Sequence, residues 1–202
     1  MSINGIMNFL AHGYLSRHSD ALIVGNFIAD FVKGKPGDHY GEEIIKGIIM
    51  HRKIDEFTDT HRVFLRSKNR IRDKYRHYTG VIIDLFYDHF LASDWKTYCD
   101  ESLPSFCQKV YKVIYDHFQL LPEDARKMIP WMTKYNWLLN YSTIDGIDRS
   151  LKGLSKRTPF ESGMENASLD LRDQYDEFSM DFKEFFPEMI RFVNALDPSG
   201  HA

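Results

Sequence analysis

The stretch from Gly80 to Trp95, GVIIDLFYDHFLASDW, is apolar on most sides of a helix, and such a helix needs packing neighbours all round it. It predicts a central helix wrapped by others, and the rest of the chain can supply them. Long segments carry helical periodicity, and few show the strict alternation of a half-buried strand. A short helix is expected over Asn8 to Leu15, and a second from an N-cap at Ser19 and Asp20 to Gly34. A third is expected from Gly41 to Phe57 and a fourth from Thr60 to Arg76. After the central fifth, helices are expected over Leu103–Phe118, Pro122–Leu139 and Ile147–Lys156. A last long one lies between Ser168 and Leu196, interrupted near Pro187. The expected fold is all-α, a bundle of about eight helices with no sheet, forming a single domain over residues 1–202.

Composition narrows the class. With 43% hydrophobic and 27% charged residues, the chain has the balance of an ordinary globular protein rather than a disordered one. The formal charge of −3 argues against nucleic acid as a general partner. The start of the chain lacks a basic region followed by a long apolar one, and no apolar run reaches membrane-spanning length, so neither a signal peptide nor a membrane partner is expected. Cys99 and Cys107 lack metal-ligand spacing and read as reduced thiols of a cytoplasmic protein. No pattern in the chain bears on oligomeric state.

The informative feature is where ionisable residues fall on these helices. At about 100° per residue, Ile44, Ile48, His51 and Asp55 share an arc of about 60°. The core stripe of the third helix therefore runs into a histidine and a carboxylate one turn apart. Burying either without a partner costs several kcal/mol, so each should meet a hydrogen-bonding group or a cation. Asp84 and Asp88 lie one turn apart on the central helix, and His89 points away from Asp88. Asp30 lies on the face of Asn26 and Ile23 within a nearly apolar segment, and His12 ends the run Asn8-Phe9-Leu10-Ala11-His12. Singly, each of these reads as a satisfied core residue: Asn26 as a cap or helix cross-link, Asp55 and Asp59 as partners for Arg52, Lys53 or Arg62. Together they place imidazole and carboxylate groups from four helices in one core. Such a set suits a first-row divalent ion, whereas structural zinc favours thiolates.

Four blocks carry a family resemblance. They are Asn8-Phe9-Leu10-Ala11-His12, Gly25-Asn26-Phe27-Ile28-Ala29-Asp30, His51-Arg52-Lys53-Ile54-Asp55 with Thr58-Asp59, and Asp84-Leu85-Phe86-Tyr87-Asp88-His89. In order and spacing they resemble the acyl carrier protein phosphodiesterase family, and weaker similarity continues through Trp137–Tyr141 and Leu151–Pro159. The resemblance implies an all-helical fold distantly related to HD phosphohydrolases and dependence on a divalent cation, typically Mn2+. It also implies hydrolysis of the phosphodiester that joins 4′-phosphopantetheine to a serine of holo-acyl carrier protein. Asp30 matches the aspartate of the family's GN-x-x-AD motif. The adjacent pair here, Asp88-His89, reverses the order that names the HD enzymes.

With that implication, the expected metal ligands are His12, Asp30, His51 and Asp88. Asp55 is expected to orient or deprotonate the attacking water, and His89 to protonate the leaving group or support a ligand; Asp59 and Asp84 are alternatives for either role. Arg62, Arg66, Arg70 and Lys74, on a basic stretch that also includes Lys68, Arg72 and Arg76, are expected to dock the acidic carrier protein, with a solvated face as the plain alternative. Tyr135, Trp137 and Tyr141 read as core packing, with lining a channel for the arm as the alternative. Two other functions fit the same residues: a phosphohydrolase acting on nucleotides or other small phosphodiesters, and a helical interaction module whose buried polar groups only bond one another.

Overall fold

Ser19 opens the first long buried segment by accepting a hydrogen bond from the Leu22 amide, and nearly all of the following helix is apolar and buried. The computed structural model of the chain describes residues 8–196. In order, the α-helices are α1 (Phe9–Leu15), α2 (Asp20–Ile28), α3 (Glu42–Thr60), α4 (Arg62–Tyr75), α5 (Thr79–Ser93), α6 (Leu103–Asp116), α7 (Glu123–Lys134), α8 (Trp137–Asn140), α9 (Ile144–Ser155), α10 (Ala167–Asp173) and α11 (Tyr175–Leu196). Short 3-10 turns join several of them, and no strand occurs among the described residues. The fold is all-α, as its periodicity predicts. No helix among these residues is long and apolar enough to cross a membrane.

The central helix is α5. Every residue in it except Gly80, Asp84 and Ser93 is buried, and α1, α4, α9 and α11 pack around it. Asp84 is thus the one acid on α5 that reaches toward solvent. The closest helix pair is α2 on α3, made possible by two glycines. A Cβ on Gly25 would lie 2.1 Å from the Ile44 carbonyl oxygen, and one on Gly47 would lie 2.7 Å from that of Leu22. Any larger residue would force the backbones apart. This crossing brings Asn26 of α2 level with His51 of α3.

Three expected boundaries differ. The second helix does not run to Gly34: it tightens into a 3-10 turn at Ala29–Phe31, which carries Asp30. The helix expected over Pro122–Leu139 is two helices, broken at Asn136, whose left-handed φ of 45° an asparagine tolerates better than most residues. The last segment breaks at Gln174 and not at Pro187, which lies inside α11. A proline in a helix interior costs about 3 kcal/mol; Phe182, Phe185, Phe186 and Met189 are buried around it, and their packing outweighs that. The count therefore exceeds the expected eight, because these breaks divide what periodicity alone joins.

Candidate active site

α1, α2 and α3 bring His12, Asn26, His51 and Asp55 together beneath the start of α1. The imidazoles of His12 and His51 stack with centroids 4.1 Å apart and planes 28° from parallel. Both are buried, at 3% and 5% exposure. One oxygen, Asn26 Oδ1, lies 2.6 Å from His12 Nδ1 and 3.2 Å from His51 Nδ1. A carbonyl oxygen only accepts, so both Nδ1 atoms carry hydrogen and both Nε2 atoms face the other way. There, His51 Nε2 is 3.1 Å from Asp55 Oδ2 and 3.2 Å from Asp30 Oδ1, and His12 Nε2 is 3.3 Å from Asp55 Oδ1.

These contacts set the charges. Burial disfavours a proton on His51, but the bonds to Asp30 and Asp55 outweigh it and push its pKa up to about 10. Burial of Asp55 is likewise outweighed by the neighbouring imidazoles of His12 and His51, which hold its carboxyl well below the usual range. The site therefore draws positive charge to the Nε2 atoms. His12 Nε2 is buried and makes no hydrogen bond. Among the described residues, His12, His51 and Asp55 form the group whose ligand atoms all lie within 4.8 Å of one another. Two imidazole nitrogens and one carboxylate, with one nitrogen orphaned, fit a first-row divalent cation. Asn26 then supplies the outer contact that orients both rings.

Asp55 opens this cluster to a cavity of about 260 Å³, lined by Asn8, Thr58, Asp59, Lys68, His77 and Asp84 among others. Burial pushes the Asp84 carboxyl well above its usual range, and the nearby charges of Asp55, Asp88 and Asp59 add to the effect. Both effects favour the protonated acid over the carboxylate. Lys68 and His77, the cavity's basic residues, were not singled out for the site from sequence. They lie on and just after α4, and only the folding of that helix over α5 brings them to Asp84.

Other expected site residues stand elsewhere. Asp30 touches His51 at the edge of the cluster but is not among the three converging groups. Asp88 is turned away from it: its oxygens accept the amides of Leu10 at 3.0 Å and Ala11 at 2.8 Å, so it anchors the first turn of α1. Its burial pushes the carboxyl up to about 8, against the pull of those two amides. The reason is position, since Asp88 lies under a helix N-terminus whose free amides attract an acid. His89 bonds the Tyr141 carbonyl through Nδ1 at 2.8 Å and the Tyr175 hydroxyl through Nε2 at 3.1 Å. It ties α5 to the α8–α9 connection and to α11, and both ring nitrogens are engaged.

The basic stretch of α4 is also engaged internally. Arg62 and Arg66 bind Glu184, Arg66 and Arg70 bind Asp181, and Lys74 binds Asp170. Ser67 Oγ donates to Asp181 at 2.7 Å, and Tyr75 donates to Asp170 at 2.5 Å. Their acids come from α10 and α11, more than 90 residues away in the chain, so sequence proximity gave no sign of them. The four residues expected to dock a carrier protein instead clasp α4 to the last two helices.

The fold and this cluster define an all-helical protein with a mixed imidazole–carboxylate centre opening onto an acidic cleft. The family model described as acyl carrier protein phosphodiesterase matches residues 7–189, and the chain belongs to that family. A protein of Photorhabdus laumondii named acyl carrier protein phosphodiesterase is 34% identical, covering 95% of this chain and 97% of that one. Proteins of the same name from Yersinia enterocolitica and Klebsiella pneumoniae are 32% and 33% identical, covering 91% and 93% of this chain and 96% and 97% of theirs. No solved structure matches the chain.

Proposed function

We propose that this protein hydrolyses the phosphodiester between 4′-phosphopantetheine and the serine of holo-acyl carrier protein, releasing apo-carrier protein and 4′-phosphopantetheine. The relatives' shared name supports the substrate. The observation that carries the chemistry is the convergence of His12, His51 and Asp55, the last of which lines an open acidic cavity. These three residues would hold a divalent cation, with Mn2+ the expected ion and Asp30 beside His51. Such an ion, when bound, polarises a phosphoryl oxygen and lowers the pKa of water.

The chain's own groups then divide the remaining work. Asn26 holds both imidazoles with Nε2 facing the substrate. Asp59, exposed at the rim and 3.8 Å from Lys68, accepts the proton of the attacking water. Asp84, kept protonated, donates to the departing serine oxygen. Lys68 places positive charge, and His77 a ring nitrogen, beside the phosphoryl oxygens.

The test incubates metal-free protein with holo-acyl carrier protein, with and without Mn2+, and follows the carrier protein's mass. A Mn2+-dependent loss of the phosphopantetheine mass, absent in His51→Ala, is expected. No loss despite bound Mn2+ would overturn the substrate, and a panel of nucleotides and small phosphodiesters would follow.

A further inference from the structure

A second cavity, of about 310 Å³, begins where the first ends along the chain: Asn8 lines the acidic cleft and Phe9 lines this one. Consecutive Cα atoms are about 3.8 Å apart, so the two cavities flank the start of α1. Its walls are Phe9, Trp137 and Leu154, with Tyr141, Arg149 and Arg157 among them. Its size is at the lower end of small-molecule pockets, about 300–1,000 Å³.

Two features mark it as a binding site rather than a packing fault. Tyr141 is only 1% exposed and lines the cavity; its carbonyl is taken by His89 Nδ1, and a tyrosine hydroxyl can both donate and accept. Arg149 and Arg157 lack a carboxylate partner: Arg149 reaches the Asn140 side chain at 3.5 Å, and Arg157 lies 5.7 Å from the Trp137 ring centre. This contrasts with α4, whose arginines facing α11 are all paired with acids. Apolar walls with a tyrosine and two arginines not paired to carboxylates suit a chain that alternates hydrocarbon and amide segments.

We propose that this cavity holds the pantetheine end of the substrate arm, its gem-dimethyl group against Phe9 and Trp137 and its amide carbonyls accepting from Tyr141, Arg149 and Arg157. The proposal rests on the function proposed above. It assigns the phosphate to the acidic cleft and the rest of the arm to the neighbouring cavity.

Gly153 gives the test. It lines the cavity, and a Cβ built on it meets nothing within 4 Å, so the side chain of Gly153→Phe starts in open space at the cavity wall. Pantetheine, which has no phosphodiester to cleave, is titrated calorimetrically into metal-free wild type, Gly153→Phe and Arg149→Ala. Saturable binding to wild type, weakened about tenfold or more in both variants, is expected. With holo-carrier protein, KM for Gly153→Phe should rise by a similar factor, with helical content by circular dichroism as in wild type. Release of 4′-phosphopantetheine by Gly153→Phe at wild-type KM, or pantetheine binding indifferent to both variants, overturns the cavity assignment and leaves the proposed function standing. A wild-type protein that releases no 4′-phosphopantetheine overturns both.

Discussion

Replacing Asn26 by leucine removes the one atom that holds both site histidines. In the native protein, Oδ1 accepts from two buried Nδ1–H groups, at 2.6 and 3.2 Å, while Asn26 Nδ2 is itself buried without a partner. Leucine orphans two donors and relieves one. At about 1–3 kcal/mol for each buried unsatisfied group, the net loss is about one group's worth, about 1–3 kcal/mol, with packing between α2 and α3 roughly kept. The effect on the site should be larger than on the fold. Without the acceptor, each ring in the neutral form that binds a metal is free to move its proton to Nε2, the atom that would face a cation, and loss of such an outer contact costs about 10–100-fold in metal affinity. Urea unfolding of the metal-free protein reads the first quantity. Calorimetric titration with Mn2+ reads the second, and nitrogen-15 shifts of the metal-free imidazoles, recorded above about pH 10 where His51 is neutral, read the tautomers directly. Asn26→Asp, which still accepts from both rings, should hold the native tautomers. If Asn26→Leu kept Nδ1-protonated rings and bound Mn2+ within about threefold of wild type, well short of the expected loss, the reasoning would be refuted.

The α4–α11 clasp makes a prediction about acid. Burial raises the Asp181 pKa, but hydrogen bonds from Arg70, Ser67 and Arg66 outweigh it and leave the carboxyl below its usual value. A depressed carboxyl contributes stability above its unfolded pKa, about 3.9, and loses it as pH falls through the lower folded value. Asp181→Asn should therefore be less stable than wild type at pH 7, and the gap in urea midpoint should close below about pH 4; a constant gap would refute the assignment. Charge reversal at Arg66 should lower the melting temperature yet leave the salt dependence of kcat/KM unchanged, because that side chain is engaged with Asp181 and Glu184; a flattened salt dependence would restore it as a docking residue. Gly25→Ala should cost about 3 kcal/mol or more by urea unfolding, since its Cβ meets backbone, whereas Gly153→Ala, in open space on a helix, should be neutral or stabilising by up to about 1 kcal/mol.

Much of the molecule was legible before any coordinates, and the reason is local. Helical periodicity and apolar runs depend on residues three and four apart, so the all-α class and the centrality of Gly80–Trp95 could be read directly. So could the pairing of His51 with Asp55, which share a face of α3 one turn apart. Four short blocks carried the family. What a linear reading could not decide was which polar groups are consumed by distant partners. Asp88 and His89 sit beside one another on a buried helix and look like site residues, but α1 places two free amides over one and the α8–α9 connection places a carbonyl beside the other. Arg62, Arg66, Arg70 and Lys74 look like a docking face until α10 and α11 return acids to meet them. Conversely, Asn26 looked like a simple cross-link until the Gly25–Gly47 approach set it between two imidazoles. Faces are local and follow from sequence; partners are set by how helices cross, and only the tertiary structure decides whether a polar side chain is satisfied or left free to act.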